Sequence, residues 1–300
     1  MTDEDLAMIA LLLYTDAGDR WRATVADVLE RGSALDYLRT VVPADLMGDP
    51  TTELLERARQ DTAAWSDLAD LITVFDARYP SQLTDVHDLP PFLFTRGDLD
   101  GGGEDHRGVC LVGSRQASRP ALDFSYQLAS ALAGEQVAVI SGLAAGIDTA
   151  AHRGALDNSG RTVAVIGTGI DRFYPPQNRA LQSEIEQRGL VISQFWPGSP
   201  PTKTSFPLRN ATMSAYGGCT MVVAAGERSG ARIQARQAIA HGRPLILSTD
   251  VASTTSWGRE LASSAYDVNV VGSVDGALSV IGEILDRPTR VSQILHDLTG

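Results

Sequence analysis

Ser141-Gly-Leu-Ala-Ala-Gly-Ile-Asp148-Thr-Ala-Ala-His152 is the stretch on which the reading of this chain turns. Val137, Val139 and Ile140 supply an apolar strand before it, and helical periodicity continues after it through Ala155 and Leu156. A strand therefore ends in a glycine-rich turn that runs directly into a helix. Backbone N–H groups at such a turn point outward and attract an anion such as phosphate. The spacing is not the dinucleotide fingerprint G-x-G-x-x-G, and the P-loop's Gly-Lys-Ser/Thr is absent. A plainer reading stays open, in which the glycines only tighten a strand-to-helix connection.

Two further stretches repeat the pattern. Val109-Cys-Leu-Val-Gly-Ser-Arg115 is an apolar strand ending in Gly-Ser-Arg, with a helix from Pro120 carrying Leu122, Tyr126, Ala129 and Leu132. Thr162-Val-Ala-Val-Ile-Gly-Thr-Gly169 is the third. Strands that end in glycine turns and alternate with helices predict an α/β fold whose parallel sheet binds its ligand at the carboxyl edge.

With 300 residues, 43% of them apolar, the chain is long enough for one large core and a smaller one. No run of about 18 apolar residues exists to cross a membrane, and the acidic start Met-Thr-Asp-Glu-Asp is unlike a secretory signal. A cytoplasmic protein is expected. Cys110 and Cys219 lie inside apolar strand-like runs, which suits buried free thiols, and no Cys/His cluster has metal-ligand spacing. The formal net charge of −12 hides a division. Residues 1–105 hold 22 acidic and 8 basic side chains, whereas residues 106–248 hold 8 acidic and 14 basic. The middle of the chain alone is basic, as a nucleic-acid surface requires. Arg115, Arg161, Arg209 and Arg228 fall beside the glycine turns, and Lys203 is the single lysine of the chain.

Along the chain, residues 1–70 read as a small helical domain, with Leu6, Ile9, Leu12 and Leu13 on one face and Gly18, Gly32, Pro43 and Gly48-Asp-Pro50 as punctuation. Residues 71–107 read as a first short strand, Ile72 to Phe75, followed by an extended connector stiffened by Tyr79-Pro80 and Leu89-Pro-Pro-Phe92-Leu-Phe94, then a polar loop from Asp98 to Asp105. Residues 108–287 form the main α/β domain. Within it a long loop, Trp196 to Phe206-Pro207, precedes a helix ending near Tyr216. Residues 288–300 are expected to be a tail without a complete winged helix. Val274, Leu278, Ile281 and Leu285 make an apolar stripe on the last helix, which either docks on its own sheet or pairs with a second copy of the chain.

Tyr79-Pro80, Gly113-Ser-Arg-Gln-Ala-Ser118, the 141–152 stretch, Val163-Ala-Val-Ile-Gly-Thr-Gly-Ile-Asp171 with Tyr174-Pro175 and Asn178, Phe206-Pro207 with Arg209-Asn210, and Ser229-Gly230 occur in the order of one family. Over residues 72–248 the chain resembles the DNA-processing protein A (DprA, or Smf) family. The resemblance implies an extended Rossmann-like parallel sheet flanked by helices. It also implies binding and protection of single-stranded DNA, assistance to RecA loading in natural transformation, and a homodimer. Single-strand binding needs a basic groove and an aromatic face for stacking, which Arg115, Lys203, Phe206 and Arg209 are placed to supply. By resemblance, DNA lies on Ser114 and Arg115 and along the 203–210 loop with Asn210. The glycine turns at Ser141-Gly142 and Ser229-Gly230 join it, and Arg161 is added as a fourth cation. The plain alternatives are Phe206 as an anchor packed on the sheet and Arg115 in an ion pair with Asp148. Five departures from the family pattern, Gln194, Ala211, Ala224, Gln234 and Thr249-Asp250, all follow residue 190 and fit a specialised paralogue.

Asp148, Asp171 and His152 are usual acid–base types, but their places read as structural: Asp148 accepting from turn amides, Asp171 fixing the turn before Tyr174, His152 in the core. No catalytic constellation and no cofactor are expected. The competing reading is a nucleotide-binding or phosphoribohydrolase-like protein of the LOG type, whose Pro-Gly-Gly-x-Gly-Thr is here Gly226-Glu-Arg-Ser-Gly230. A third is a nucleotide sensor using the same groove.

Overall fold

A computed structural model describes residues 1–16, 18–44, 49–99 and 107–299, with side chains described for all of these except residue 19 and residues 288–299. The described strands form one nine-stranded sheet. In chain order they are β1 (Asp70–Thr73), β2 (Phe92–Gly97), β3 (Val109–Gly113), β4 (Val139–Ser141), β5 (Thr162–Ile166), β6 (Leu190–Ser193), β7 (Cys219–Ala224), β8 (Leu245–Ser248) and β9 (Val268–Val271), and across the sheet they run β1-β2-β6-β5-β4-β3-β7-β8-β9. From β6 to β9 every pairing is parallel; β1 and β2 close one edge antiparallel. After β3 the chain builds outward through β4, β5 and β6, then returns to the other side of β3 with β7 and builds outward through β8 and β9. The reversal makes a switch point between β3 and β7, where the connections leaving the two strands diverge and open a crevice.

Both faces of the sheet are covered, so its strands are continuously apolar and not alternating. In β3, Cys110 and Val112 face a layer with Met213, Tyr216 and Ala231, while Val109 and Leu111 face one with Leu128, Leu132 and Ile281. Cys110 and Cys219 are buried free thiols, and burial pushes the Cys110 thiol up to about 12.

The N-terminal helices are α1 (Asp3–Tyr14), α2 (Trp21–Arg31), α3 (Ala34–Val41) and α4 (Pro50–Trp65); those that follow β3 are α5 (Arg119–Gly134), α6 (Ile147–Asp157), α7 (Arg179–Arg188), α8 (Ser205–Tyr216), α9 (Gly230–Ala240), α10 (Thr249–Thr254), α11 (Ser256–Ala262) and α12 (Val274–Thr299). Helix α1 is apolar on nearly every side because it is buried from Leu6 to Leu11. A capping box holds its start: Thr2 Oγ1 accepts from Asp5 N at 3.2 Å, and Asp5 Oδ2 accepts from Thr2 N at 2.6 Å. The other Asp5 oxygen accepts from Thr73 Oγ1 at 2.5 Å, tying the helix to β1. Leu6, Ile9, Val28, Leu38 and Ala58 share one core with Phe92, Phe94, Ile166 and Val191 of the sheet. Trp196 stacks on Phe92 with ring centroids 4.0 Å apart.

Three expectations are corrected. Residues 92–97, read as extended connector, form β2 and pair with β6 from Phe94↔Ser193 to Gly97↔Leu190. Phe206-Pro207 are not in a loop: α8 spans Ser205–Tyr216, so Phe206 lies in its first turn. The last helix, α12 (Val274–Thr299), takes in residues 288–299 of the expected tail; Ala277, Ile281, Ile284 and Leu285 are buried against the chain's own sheet, the first of the two alternatives for its stripe. Its stripe is thus covered from within and does not call for a second copy. The polar loop read at Asp98–Asp105 lies mostly outside the described residues, from residue 100 on. Among the described residues no helix is long and apolar enough to cross a membrane.

Candidate functional site

A cleft of about 580 Å³ opens at the switch point. One wall is the end of β3 with Gly113, Ser114, Arg115 and Gln116; the other is the β7–α9 connection, Gly226 to Gly230, where α9 spans Gly230–Ala240. Phe206, Arg209, Asn210 and Met213 of α8 also line it. A second hollow of about 220 Å³ adjoins it beside Gly142, Gly167, Tyr174 and Pro175, and the two share Arg115, Ala144, Phe206 and Arg209.

The glycine turn is built inward. Asp148 is buried in α6 (Ile147–Asp157), and its Oδ2 accepts from Gly142 N at 3.2 Å and Ala144 N at 3.3 Å. Those two amides are spent on a carboxylate of the same chain, so the outward-pointing anion nest expected at this turn is not what these N–H groups make. Asn178 Nδ2 donates to Leu143 O at 2.8 Å and to Thr149 Oγ1 at 2.9 Å, holding Leu143 at φ +58°. Gly142 lies flat on Arg209: a Cβ there would fall 1.2 Å from Arg209 Nη1. Here the glycine admits a side chain of the chain itself.

Arg209 is 5% exposed, its Nη1 is 3.8 Å from Met213 Sδ, and its Nε has no partner. Burial pulls its pKa down and the nearby Asp148 charge opposes that; burial pushes Asp148 up, with Arg209 opposing. A guanidinium this desolvated gains from any anion that reaches it. Arg115 is exposed at the tip of β3, with its Cζ 5.2 Å from the Phe206 ring centroid, a distance at which cation and ring attract. The ion pair with Asp148 that was the plain alternative for Arg115 is not formed. Phe206 is half-buried, tilted against Tyr174 at 5.6 Å, and packed over Gly167, where a Cβ would meet its ring at 2.9 Å. It is both anchored and presented.

The structure brings Ser114, Arg115, Phe206, Arg209, Asn210, Ser229 and Gly230 to one cleft and Gly142 to its neighbour. Ser229 caps α9 by accepting from Ala231 N at 3.2 Å. Ser141 is fully buried, its Oγ donating to Leu111 O at 2.6 Å, so it joins β4 to β3 and cannot meet a ligand. Lys203 is exposed ahead of α8, outside the residues lining either hollow. Arg161 is separated from the rest. It precedes β5 at the amino edge of the sheet, where it donates to Asp98 O at 2.7 Å, and the cleft is at the carboxyl edge. Nearness to a glycine turn in sequence does not bring it to the cleft, because a strand's two ends lie on opposite edges. Gln116, Arg228 and Gln234 also line the cleft; Gln234 is one of the family departures noted above, and Arg228 was counted only as nearby charge.

Of the acid–base candidates, Asp148 lines the cleft with its Oδ2 turned to the glycine-turn amides, and the other two are engaged elsewhere. Asp171 Oδ1 accepts from Gly198 N at 2.7 Å. His152 is fully buried with Nδ1 2.7 Å from Thr162 Oγ1, and burial, reinforced by Arg209, pushes its pKa down to about 3. Its unfolded value is near 6.5, so the folded state resists protonation that the unfolded state accepts. Stability conferred by the neutral ring is complete above about pH 6.5 and is lost progressively down to about pH 3, by up to about 1.4 kcal/mol per pH unit. Burial of Asp148 acts in the opposite sense, favouring the fold as pH falls. Denaturant titrations at pH 7 and 5 should give a lower stability at pH 5, with the difference reduced in His152→Gln; a difference unchanged in that variant removes His152 as the cause.

A family model for DNA recombination-mediator protein A matches residues 70–274. The chain is 38% identical over 205 residues to the DNA processing protein DprA of Streptococcus pneumoniae, covering 65% of this chain and 72% of that one. To Protein Smf of Synechocystis it is 38% identical over 169 residues, 56% of this chain and 42% of that longer one. The X-ray structure of S. pneumoniae DprA superposes with a TM-score of 0.73 at 29% identity, over 93% of this chain and 98% of that chain. DNA processing protein A from Helicobacter pylori has the same fold, with a TM-score of 0.62 at 24% identity over 73% of this chain and 97% of that one. A match that spans the sheet from β1 to β9, together with glycine turns that build one cleft at its switch point, makes this chain a member of the DNA recombination-mediator protein A (DprA/Smf) family.

Proposed function

We propose that the switch-point cleft binds single-stranded DNA, protecting it and presenting it to the RecA recombinase. The observation that carries this reading is the pairing of Arg115 over the Phe206 ring at the cleft mouth with the buried, incompletely partnered Arg209 behind it. Phosphates meet the cations and a base lies on the ring, the combination that sequence-tolerant single-strand binding uses. The H. pylori relative is described by its single-stranded DNA binding mode. Kinship within the family supports RecA assistance, a homodimer and a cytoplasmic setting as parts of the same proposal.

The phosphoribohydrolase reading loses support in the 226–230 loop. Glu227, the one carboxylate there, accepts from the N and Oγ of Ser256 and does not line the cleft.

Fluorescence titration should show binding to a single-stranded oligonucleotide in preference to duplex and to free mononucleotides. Affinity should fall steeply with salt as counterions return to the phosphates. Equal affinity for single strand and duplex at moderate salt sinks the proposal, and tight binding of a mononucleotide with none of the oligonucleotide favours the sensor reading.

A further inference from the structure

A third hollow, of about 330 Å³, opens at the end of β5, where Thr168, Arg172, Phe173, Tyr174, Arg179 and Pro201 line it. It shares Tyr174 with the hollow beside Gly142, which in turn shares Arg115 and Phe206 with the cleft. Strands β3, β4 and β5 are neighbours, so the three hollows follow one another along the carboxyl edge over two strand spacings, roughly 10 Å. The chemistry of the cleft mouth is repeated there. Arg179 Cζ lies 4.4 Å from the Phe173 ring centroid, as Arg115 Cζ lies over Phe206. Both rings are half-buried and both arginines exposed. Among the described residues no carboxylate lines this third hollow. Asp171, next to it in sequence, accepts from Gly198 N at 2.7 Å, and the α7 acids are committed to other arginines, Glu184 to Arg153 and Arg188, Glu186 to Arg96. Arg172 donates from Nε to Gly198 O at 2.6 Å, a neutral partner that leaves its charge uncompensated. Helix α7 starts at Arg179 with neither a side-chain cap nor an acid in its first turn, so the positive end of its dipole adds to the field.

We infer that Phe173, with Arg172 and Arg179, is a second seat for the same DNA strand: one base lies on Phe173, and the phosphates that flank it meet the two arginines. This rests on the single-strand reading of the cleft and adds the direction in which the strand leaves it, across the ends of β4 and β5. A stacked guanidinium with no acid to meet keeps its N–H fork for an outside anion, and a ring face accepts any base. A free nucleotide would fill one hollow; only a strand makes use of three in a row. The Tyr174 ring, 5.6 Å from that of Phe206, joins the two seats, so the line of aromatic faces is not interrupted between them.

The test titrates the full-length protein with 12-nucleotide oligo-dT, which crosses all three hollows and cannot pair with itself. Phe173→Leu keeps most of the volume and loses the stacking face; it should bind at least about fivefold more weakly than wild type, the lower end of the range for one stacked base. Arg179→Ala should weaken binding and lower the salt slope by roughly one phosphate contact. Should Phe173→Leu fold poorly, the exposed Arg179 carries the test alone. In a Phe206→Leu background the Phe173→Leu change should weaken binding by the same factor again, since separate seats contribute independently. Wild-type affinity in a well-folded Phe173→Leu, or in Arg179→Ala, removes the second seat and leaves the single-strand reading of the cleft intact. A Phe173→Leu loss that vanishes in the Phe206→Leu background shows that Phe173 only props Tyr174 against Phe206, and overturns the inference as well. Failure of the wild type to bind the strand at low salt overturns the single-strand reading, and this inference with it.

Discussion

Gly146→Ala should lower the melting temperature by about 6–12 °C. Gly146 precedes α6 at φ +83°, ψ −123°, a combination that residues with a Cβ scarcely adopt. The added methyl has no room either: it would stand 2.3 Å from Ser114 O and 2.8 Å from Arg115 O, both backbone atoms of the connection that closes the cleft. Strained dihedrals and a steric clash each cost roughly 1–3 kcal/mol, about 3 kcal/mol or more together. A chain of this size shifts by roughly 2–4 °C per kcal/mol. Gly230→Ala is the internal comparison, because a Cβ at Gly230 meets nothing within 4 Å. Scanning calorimetry on the two variants checks the argument, and a shift below about 2 °C for Gly146→Ala would show that the turn relaxes freely.

The second large effect is expected at the aromatic–arginine pair. Phe206→Ala should weaken single-strand binding by about 1–3 kcal/mol, the range for loss of one stacked base. Arg115→Ala should weaken it and reduce the salt slope by roughly one phosphate contact. The double variant should cost less than the two together, since the Arg115 guanidinium lies over the Phe206 ring and loses its platform when the ring goes. Truncation of Phe206 also opens space beside Tyr174 and Gly167, so a lowered melting temperature alone decides nothing. Phe206→Leu separates the roles by filling most of the volume without a stacking face. Wild-type affinity in Phe206→Leu would assign Phe206 to anchoring only.

The parallel sheet was readable because its buried strands are unbroken apolar runs ending in glycine, a pattern set by helices on both faces. Position across the sheet was not. Whether Phe92–Gly97 is a connector or a strand depends on pairing with residues about a hundred positions later, which no local pattern encodes. At the glycine turn two readings competed, amides facing an outside anion and amides held by Asp148, and the second is the one the structure shows. Arg115, Phe206 and Arg209 come together from strand and helix ends separated by up to 94 residues; the family resemblance, not residue spacing, joined them in advance. Arg161 shows the reverse case, a cation close to a glycine turn in sequence and at the wrong edge in space. Gln234 carried a local signal as a departure from the family pattern, but its place in the cleft wall and its burial are visible only once α9 is packed.

The core shared by α1 and the sheet constrains how this architecture can evolve. Leu6, Ile9 and Leu38 fill the same interior as Phe92, Phe94 and Val191, and Asp5 is hydrogen-bonded to Thr73. The helical segment is therefore not an interchangeable attachment. A lineage that replaced it would have to resurface one face of β2, β5 and β6 in the same step, and drift in one half is tolerable only when the other half follows. The cleft is divided in this respect. Its apolar floor, Val112, Met213 and Ala231, shares a core with Val25 of α2 and is bound by the same constraint, whereas its polar rim, Arg115, Gln116, Arg228 and Ser229, lies outside both cores, so its chemistry is free to change while the N-terminal helices and the sheet edge they cover stay fixed.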